Sequence, residues 1–468
     1  MSQSDNTKNY REHLGNVDSQ GGRIWLFPKI IKGNLYRYRT YLSWLYLAFF
    51  FAGPFIKING KPLLLLDVLG RRFVIFGQPF WPQDFHFLVL LVITLIVFIV
   101  LFTVIYGRVF CGWVCPQTIF MEMVFRKIEN LIEGNSIKQR KLKEMPWNRE
   151  KITKRTLKFL AFFGVSFIIA NTFLAYIIGW EELWSKITGP FGENYKTLIG
   201  LTVFTAVFYT VFAKVRELVC IMICPYGRLQ GVMLDPNSMV VAYDDVRGEP
   251  RGKIRKNEDQ ADKGDCVDCG LCVDVCPTGI DIRNGTQLEC VNCTACIDAC
   301  DSVMDKINKP RGLVRIDSIN NIRNKIGFRF TPRIIAYTAV MVILVGVFIG
   351  LVVTRTDVEA HLLRAPGKTY YKESEDVYSN IYHLEMVNKT YDTIPIRFEV
   401  NYPGVMVHTT DTSGILPANE EQKRVLLFKM NTKDIKSNKT TIPVAFYVDG
   451  KLVKTMETTF LAPKTSAK

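Results

Sequence analysis

Eight cysteines between Cys266 and Cys300 restrict what this chain can fold into more than any other feature. They read Cys266-Val-Asp-Cys269-Gly-Leu-Cys272-Val-Asp-Val-Cys276-Pro277, then Cys290-Val-Asn-Cys293-Thr-Ala-Cys296-Ile-Asp-Ala-Cys300. Each half is a C-x2-C-x2-C-x3-C run. Three close thiolates of such a run grip one cubane iron–sulfur cluster, and its fourth cysteine ligates the cluster of the other half. On that pattern Cys266, Cys269, Cys272 and Cys300 hold one 4Fe-4S cluster, and Cys290, Cys293, Cys296 and Cys276 hold the second. The crossing sets two clusters side by side and makes the segment an electron relay. Structural zinc also takes four thiolates, but its modules bring them as two separated pairs, not as triplets with a fourth set apart.

Residues 262–305 resemble the two-cluster bacterial ferredoxins on these cysteines. One departure is visible: Asp301 follows the last cysteine where Pro277 follows Cys276 in the first run. It affects the local turn rather than the number of ligands.

At 468 residues the chain has room for several domains. Its 48% hydrophobic residues are gathered in discrete runs. Residues 41–58, 85–106, 157–180, 197–212 and 334–353 read as membrane spans, most of them near the ~20 apolar residues that cross a bilayer. The run from Phe87 to Phe102 is apolar on every face, which a buried helix of a soluble protein seldom is. Some forty mainly polar residues precede the first run, so the expectation is an uncleaved anchor rather than a signal peptide.

Basic residues orient these spans. Arg23, Lys29, Lys32, Arg37 and Arg39 precede the first, and eleven more, from Arg108 through Arg126, Lys127 and Lys138 to Arg155, follow the second. Only Lys186 and Lys196 follow the third. The positive-inside rule then puts the N-terminus and the cysteine-rich segment in the cytoplasm and, after five spans, the C-terminal region outside. The net charge of +15 is on this reading a topology signal, not the footprint of a nucleic-acid-binding module. Cysteine placement agrees: all 12 lie between 111 and 300 and none beyond 354, as expected if the thiols sit in a reducing compartment.

The other four cysteines repeat one pattern. Arg108-Val-Phe-Cys111-Gly-Trp-Val-Cys115-Pro116 follows the second span, and Glu217-Leu-Val-Cys220-Ile-Met-Ile-Cys224-Pro225 follows the fourth. Spacing of i and i+4 predicts both sulfurs on one helical face, with a break at the proline just beyond. A single such pair is ordinarily two small core residues. Two copies at equivalent places predict paired hairpins that bring Cys111, Cys115, Cys220 and Cys224 together. Soft sulfur ligands suit Cu(I), zinc or a further iron–sulfur cluster, and a redox-active dithiol is a further reading. Met121, Met123 and Met222 lie beside the pairs; as thioethers they favour copper, and as ordinary packing they say nothing.

Beyond Thr354 the pattern turns to short strands at 394–400, 425–430 and 442–448, with Asp449-Gly450 as a hairpin turn. A hundred or so residues of this kind without cysteine predict an immunoglobulin-like sandwich lacking its disulfide. Met406 and His408 read as incidental surface residues. Histidine is scarce: His13, His86, His361 and His383 have no C-x-x-C-H companion for c-type haem, and only His86 lies near a span. No Gly-rich dinucleotide motif follows a strand.

The fold class expected is therefore a multidomain integral membrane protein: a five-span α-helical membrane region, an inserted two-cluster ferredoxin domain and a C-terminal all-β immunoglobulin-like domain. The expected boundaries are an arm at 1–40, the membrane region at 41–225 and a linker at 226–261. The ferredoxin domain at 262–305, a basic return at 306–333, the last span at 334–353 and the external domain at 354–468 complete the chain.

Five spans, paired C-x3-C-P motifs and a cytoplasmic two-cluster segment resemble the CcoG/FixG/RdxA family, accessory proteins of cbb3-type cytochrome c oxidase. The paired motif resembles, more distantly, membrane subunits of nitrate- and nitrous-oxide-pathway electron donors. The family resemblance implies a multi-pass protein of the bacterial inner membrane with its C-terminal domain periplasmic. It also implies an oxidoreductase that reduces Cu(II) to Cu(I), so that Cys111, Cys115, Cys220 and Cys224 are the copper-binding and catalytic residues. The partners it implies are the oxidase or its copper chaperones and a cytoplasmic electron donor. Spacing alone gives electron relay and soft-metal binding. Two other readings stand beside the reductase: a relay between a quinol pool or soluble donor and a respiratory complex, and a non-catalytic oxidase assembly scaffold.

Overall fold

The computed structural model describes residues 22–58, 60–67, 72–75, 77–80, 84–253, 263–325, 330–409, 414–418, 420–435 and 437–463. The start of the N-terminal arm with His13, the second half of the linker at 254–262 and part of the basic return at 326–329 lie outside the described residues. The chain divides into two compact units, one of Met1–Ile56 with Leu88–Phe348 and one of Lys57–Phe87 with Ile349–Lys468.

Among the described residues four helices are long and apolar enough to cross a membrane: Phe85–Tyr106, Arg149–Ile178, Phe191–Val215 and Pro332–Val353. Each overlaps an expected span. Arg149–Ile178 starts earlier than the apolar run because Asn148 caps it, its side chain accepting from the Lys151 N–H. Phe191–Val215 is longer than the run at 197–212, which supplies the length that run lacked. The first expected span, 41–58, is not met as drawn. The helix there is Asn34–Ala52, which carries Arg37 and Arg39 near its start and gives way at Gly53-Pro54, where proline brings no N–H. It is not among the four helices of membrane character.

The spanning helices pack through aromatic rings in the first unit. Phe125 stacks on Phe212 at 4.7 Å and 4° and meets Phe162 edge-on at 4.9 Å. Leu47, Phe120 and Ile169 close the same core. Leu95, Ile96, Val342, Ile343 and Ile349 face outward on Phe85–Tyr106 and Pro332–Val353, as helices surrounded by lipid require. At the edge of this bundle Glu129 is buried and accepts from Arg216 at 3.1 and 2.8 Å and from Lys158.

The cysteine-rich segment belongs to the same unit and is bracketed by two antiparallel strands, Val240–Tyr243 and Val314–Asp317. Helices Leu271–Asp274 and Ala295–Lys306 each start inside a cysteine triplet. The two triplets bend alike: Asp268 and Asn292 have φ of 49° and 51°, and Gly270 and Thr294 have 67° and 65°. Asp, Asn and Gly tolerate that left-handed conformation, whereas a β-branched threonine rarely adopts it.

The second unit is a β-sandwich. One sheet runs Val405–Thr409, Glu421–Asn431, Val377–Asn388, Val358–Arg364, with Tyr371–Ser374 beside Val377–Asn388. The other runs Ile415–Leu416, Ile394–Val400, Lys439–Val448, Lys451–Leu461. Tyr382, Leu384, Leu426 and Phe428 of the first sheet meet Ile442, Val444, Phe446 and Phe460 of the second, the alternate residues of each strand facing inward. Asp449 and Gly450 both have positive φ, 50° and 75°, and join strands paired Val448 to Lys451, the geometry of a tight two-residue hairpin. The short strands Leu64–Asp67, Arg72–Ile75 and Gln78–Phe80 form a separate meander in this unit. The apolar patterning of 41–106 gave no sign of them.

Candidate functional site

Cys266, Cys269, Cys272 and Cys300 line one cavity, together with Tyr243, Leu271 and Met304. Cys276, Cys290, Cys293 and Cys296 line a second, with Ile280 and Val291, and Cys272 borders both. Each cage thus takes three cysteines from one run and one from the other. The thiols ring a space rather than meeting at a point: among the described residues no three His, Cys, Asp or Glu are placed to hold a single ion. Burial foremost pushes the thiols of Cys272, Cys290 and Cys300 up to about 12 and that of Cys293 to about 11. Thiols so reluctant to ionise become thiolates when a cation takes the proton's place. Two cages, each lined by four thiols with three from one run and one from the other, fit polyatomic iron–sulfur clusters.

The C-x3-C-P pairs differ from the sequence expectation in one respect: neither lies on one continuous helix. Cys111 is in the short helix Val109–Trp113, while Cys115 is extended at ψ 124° ahead of Pro116. Cys220 is in the wide turn Val219–Ile223, and Cys224 is extended at ψ 110° ahead of Pro225. A proline disfavours helical backbone in the residue before it, so the break falls at the second cysteine itself. The two copies nevertheless share their hydrogen bonds. Cys111 N–H donates to Arg108 and Cys220 N–H to Glu217, at 3.0 and 3.1 Å. Cys115 N–H donates five residues back to Phe110 and Cys224 N–H to Val219, at 2.9 and 2.7 Å.

These two turns bring the four sulfurs within electrostatic range of one another. Burial pushes Cys111 up to about 11, with Arg108 opposing and Cys115 and Cys224 adding. Burial likewise pushes Cys220 to about 12, with Cys115, Cys111 and Cys224 adding. Cys111 Sγ–H donates to Gln230 Oε1 at 3.0 Å, and the fully buried Gln230 donates from Nε2 to Thr103 at 3.1 Å.

The quartet lies against the second cage. Gly112, between Cys111 and Cys115, has no room for a side chain: a Cβ there would stand 2.5 Å from the Val291 carbonyl oxygen and 2.9 Å from Asn292. Those residues separate Cys290 from Cys293. Arg39 Nε donates to the Gly112 carbonyl at 2.8 Å, and Arg108 donates to the Leu288 carbonyl and to Gln230 Oε1. The cysteine-rich segment also caps the first helix. Asp298 accepts from the Leu35 and Tyr36 N–H groups at 3.2 and 2.7 Å, because the helix's own N-cap, Gly33, has no side chain to offer.

The methionines divide. Met121 and Met123 are buried, Met121 lining the cavity beside Cys220 and Met123 accepting from Thr40, whereas Met222 is half exposed. Met406 and His408 point outward from Val405–Thr409, and His86 is exposed at the start of Phe85–Tyr106.

Comparison with known proteins places the chain. Residues 88–135 match a 4Fe-4S binding domain, 215–319 a 4Fe-4S dicluster domain, and 348–463 the IG-like fold at the C-terminus of FixG. The nitrogen fixation protein FixG of Rhizobium meliloti is 33% identical over 404 residues, covering 78% of this chain and 76% of FixG. The chain belongs to the FixG/RdxA family. RdxB of Cereibacter sphaeroides is 33% identical over 383 residues, 78% of this chain and 79% of RdxB. RdxA of the same organism is 36% identical over 297 residues, 62% of each chain, so that match spans a little under two thirds of RdxA. A crystal structure of a FixG-related protein from Vibrio parahaemolyticus covers 23% of this chain and 97% of its own at 15% identity, with a TM-score of 0.21. This FixG-family chain is a membrane-associated iron–sulfur electron-transfer protein with a C-terminal immunoglobulin-like domain.

Sequence reasoning missed Gly112, Arg39, Gln230 and Asp298 as parts of the site, and read Arg108 only as a topology charge. A signal was present in the unequal repeat. Gly112 stands where the second copy has Ile221, and Arg108 where it has Glu217. Both copies approach the second cage, Cys220 across a cavity shared with Pro277, Thr278 and Val291 and Gly112 by direct contact at its missing side chain.

Proposed function

We propose that this FixG-family protein reduces Cu(II) to Cu(I) at the quartet Cys111, Cys115, Cys220 and Cys224, in the assembly of a cbb3-type cytochrome c oxidase. The observation that carries the reading is Gly112 against Val291 and Asn292, which leaves the quartet and the second cage back to back. Cys266, Cys269, Cys272 and Cys300 would hold one 4Fe-4S cluster, and Cys276, Cys290, Cys293 and Cys296 the other. When bound, such clusters supply one-electron carriage between a donor and the quartet. The chain's own contribution is soft-ligand binding and placement. The four thiols stand within electrostatic range but are not gathered round a single point, so on this reading they close on the copper ion as it binds and release protons as they do so, and thiolate sulfur favours the reduced ion. Pro116 and Pro225 turn Cys115 and Cys224 out of the helices that would carry them away. Copper takes up one electron and leaves as Cu(I). The charge pattern supports a cytoplasmic N-terminus and cysteine-rich segment and an external β-sandwich.

A second reading has an observation in its favour: the family model covering Cys111 and Cys115 describes a 4Fe-4S binding domain. On it the quartet holds a third cluster and the protein is a relay to a respiratory partner.

Anaerobic Cu(II) reduction by the purified, dithionite-reduced protein tests both. The comparison is with a Cys111→Ser/Cys115→Ser/Cys220→Ser/Cys224→Ser variant, with iron and acid-labile sulfide measured in each. A variant that keeps the wild-type iron but loses copper binding and reduction supports the reductase. One that reduces copper as fast as wild type sinks it. Iron in the wild type beyond what two four-iron clusters hold, lost in the variant, favours the relay.

A further inference from the structure

The two cages sit in unlike surroundings. In the first, Cys269 is exposed beside the buried Cys266 and Cys272, whereas no cysteine of the second is exposed; the charges from outside the first cage that act on Cys272 and Cys300 are those of Arg283, Asp281 and Asp301. Arg283 is itself engaged by Asp281 and Asp268. The second cage faces the helical bundle, and the cations nearest its cysteines are two buried guanidiniums. Arg108 is 3% exposed and donates to the carbonyl of Leu288, two residues before Cys290. Its other end lies against Gly227, where a Cβ would come 2.7 Å from Nη2. Arg39 is 4% exposed and holds the Gly112 carbonyl, while its Nη2 is buried with no hydrogen-bond partner. Arg108 acts on Cys290 as well as on Cys111 and Cys220, and Arg39 acts on Cys293 more strongly than the opposing Glu122, which is paired with Arg126.

A buried cation without a carboxylate in contact is costly to keep, so its retention asks for a compensating charge. Reducing a thiolate-bound cluster adds one negative charge to a site that is already anionic, and a low-dielectric setting opposes that addition. The first cage has solvent at Cys269 to stabilise the added charge. The second has no exposed cysteine, and has Arg39 and Arg108 instead. Arginine suits the task because it stays charged when buried.

We propose that Arg39 and Arg108 are positioning residues that raise the reduction potential of the second, inner cage. In doing so they offset its burial and make it an acceptor for electrons arriving at the exposed first cage. The inference rests on the cluster assignment given above but not on copper. Its redox step is a one-electron reduction of the inner cage's cluster, dithionite supplying the electron in the test and the two fixed charges balancing it without proton uptake.

The test is a potentiometric EPR titration of the full-length purified protein. The exposed-cage signal is identified by its change in a Cys269→Ser variant, and iron and sulfide content are the folding control. In Arg39→Gln and in Arg108→Gln the inner signal moves to more negative potential, further in the double variant, while the outer signal stays. Arg108→Lys, which keeps the charge and loses the planar fork, stays near wild type. Should Arg108→Gln fail to retain clusters, Gln230→Glu puts a carboxylate beside an intact Arg108 and shifts the inner signal the same way. Unmoved potentials overturn the proposal, as do equal shifts of both signals or a Lys variant that shifts as much as Gln. A wild type showing fewer than two cluster signals overturns the cluster assignment and this inference with it. A wild type with both signals that does not reduce copper overturns only the copper reading.

Discussion

Glu129 shows how a single buried charge is kept in this bundle. Burial alone would raise its carboxyl, but Arg216 and Lys158 reverse that and hold it down at about 2. A carboxylate held below its ordinary value near 4.5 contributes stability that is complete above that value and is lost as the pH falls through about 2. Glu129→Gln leaves Arg216 buried without its carboxylate, a change that costs about 3–5 kcal/mol in comparable buried pairs. The expected result is a lowered thermal midpoint in detergent at neutral pH. The gap to wild type should narrow as the pH is taken from 4.5 toward 2. A variant as stable as wild type at pH 7 would mean that Arg216 finds another partner.

At the scale of elements, two contacts join the cysteine-rich segment to the helices, and each makes a separate prediction. Asp298 supplies the cap that Gly33 cannot, so Asp298→Ala should cost about 0.5–2 kcal/mol and Asp298→Asn, which keeps an acceptor, much less. Denaturation monitored by limited proteolysis near residue 33 measures the difference. Gly112→Ala acts elsewhere. Its Cβ, 2.5 Å from the Val291 carbonyl, cannot be accommodated unless the loop between Cys290 and Cys293 moves. Iron content near wild type with copper reduction slowed tenfold or more is expected from an anaerobic assay, because the quartet is then displaced from the second cage. Unchanged reduction would show that the approach of Gly112 is packing alone.

For the whole molecule the prediction concerns sidedness. Leu452 is exposed in the β-sandwich and Leu131 is exposed on the helix Arg126–Glu133. With the basic segments inside, a cysteine placed at 452 should react with a membrane-impermeant maleimide in intact cells. Cysteine at 131 should react only after permeabilisation. The opposite pattern would invert the orientation. Two of the four helices lie between residue 131 and residue 269 and one between 269 and 452, so 131 and 269 share a side and 452 takes the other whichever course Asn34–Ala52 follows.

Much of this was legible in the sequence, for a definite reason. Cysteine spacing is a local property: three thiols within seven residues shape one loop whatever surrounds it, and the runs of apolar residues and the strands at 394–400 and 442–448 declare themselves through periods of a few residues. The strand meander within 64–80 and the early end of the first helix at Gly53 were hidden, because apolar residues there look alike in a strand, a helix or a span. The kinked C-x3-C-P pairs were half visible, in the prolines. What only the tertiary structure decided is which elements face one another: that Gly112 rather than Ile221 meets the second cage, that Asp298 caps a helix more than two hundred residues earlier, and that Arg39 and Arg108, read along the chain as charges sorting a membrane protein, are buried between the thiols. Such partners are far apart in sequence, and a side chain's chemistry at a distance is set by what packing removes from water, which no local pattern records.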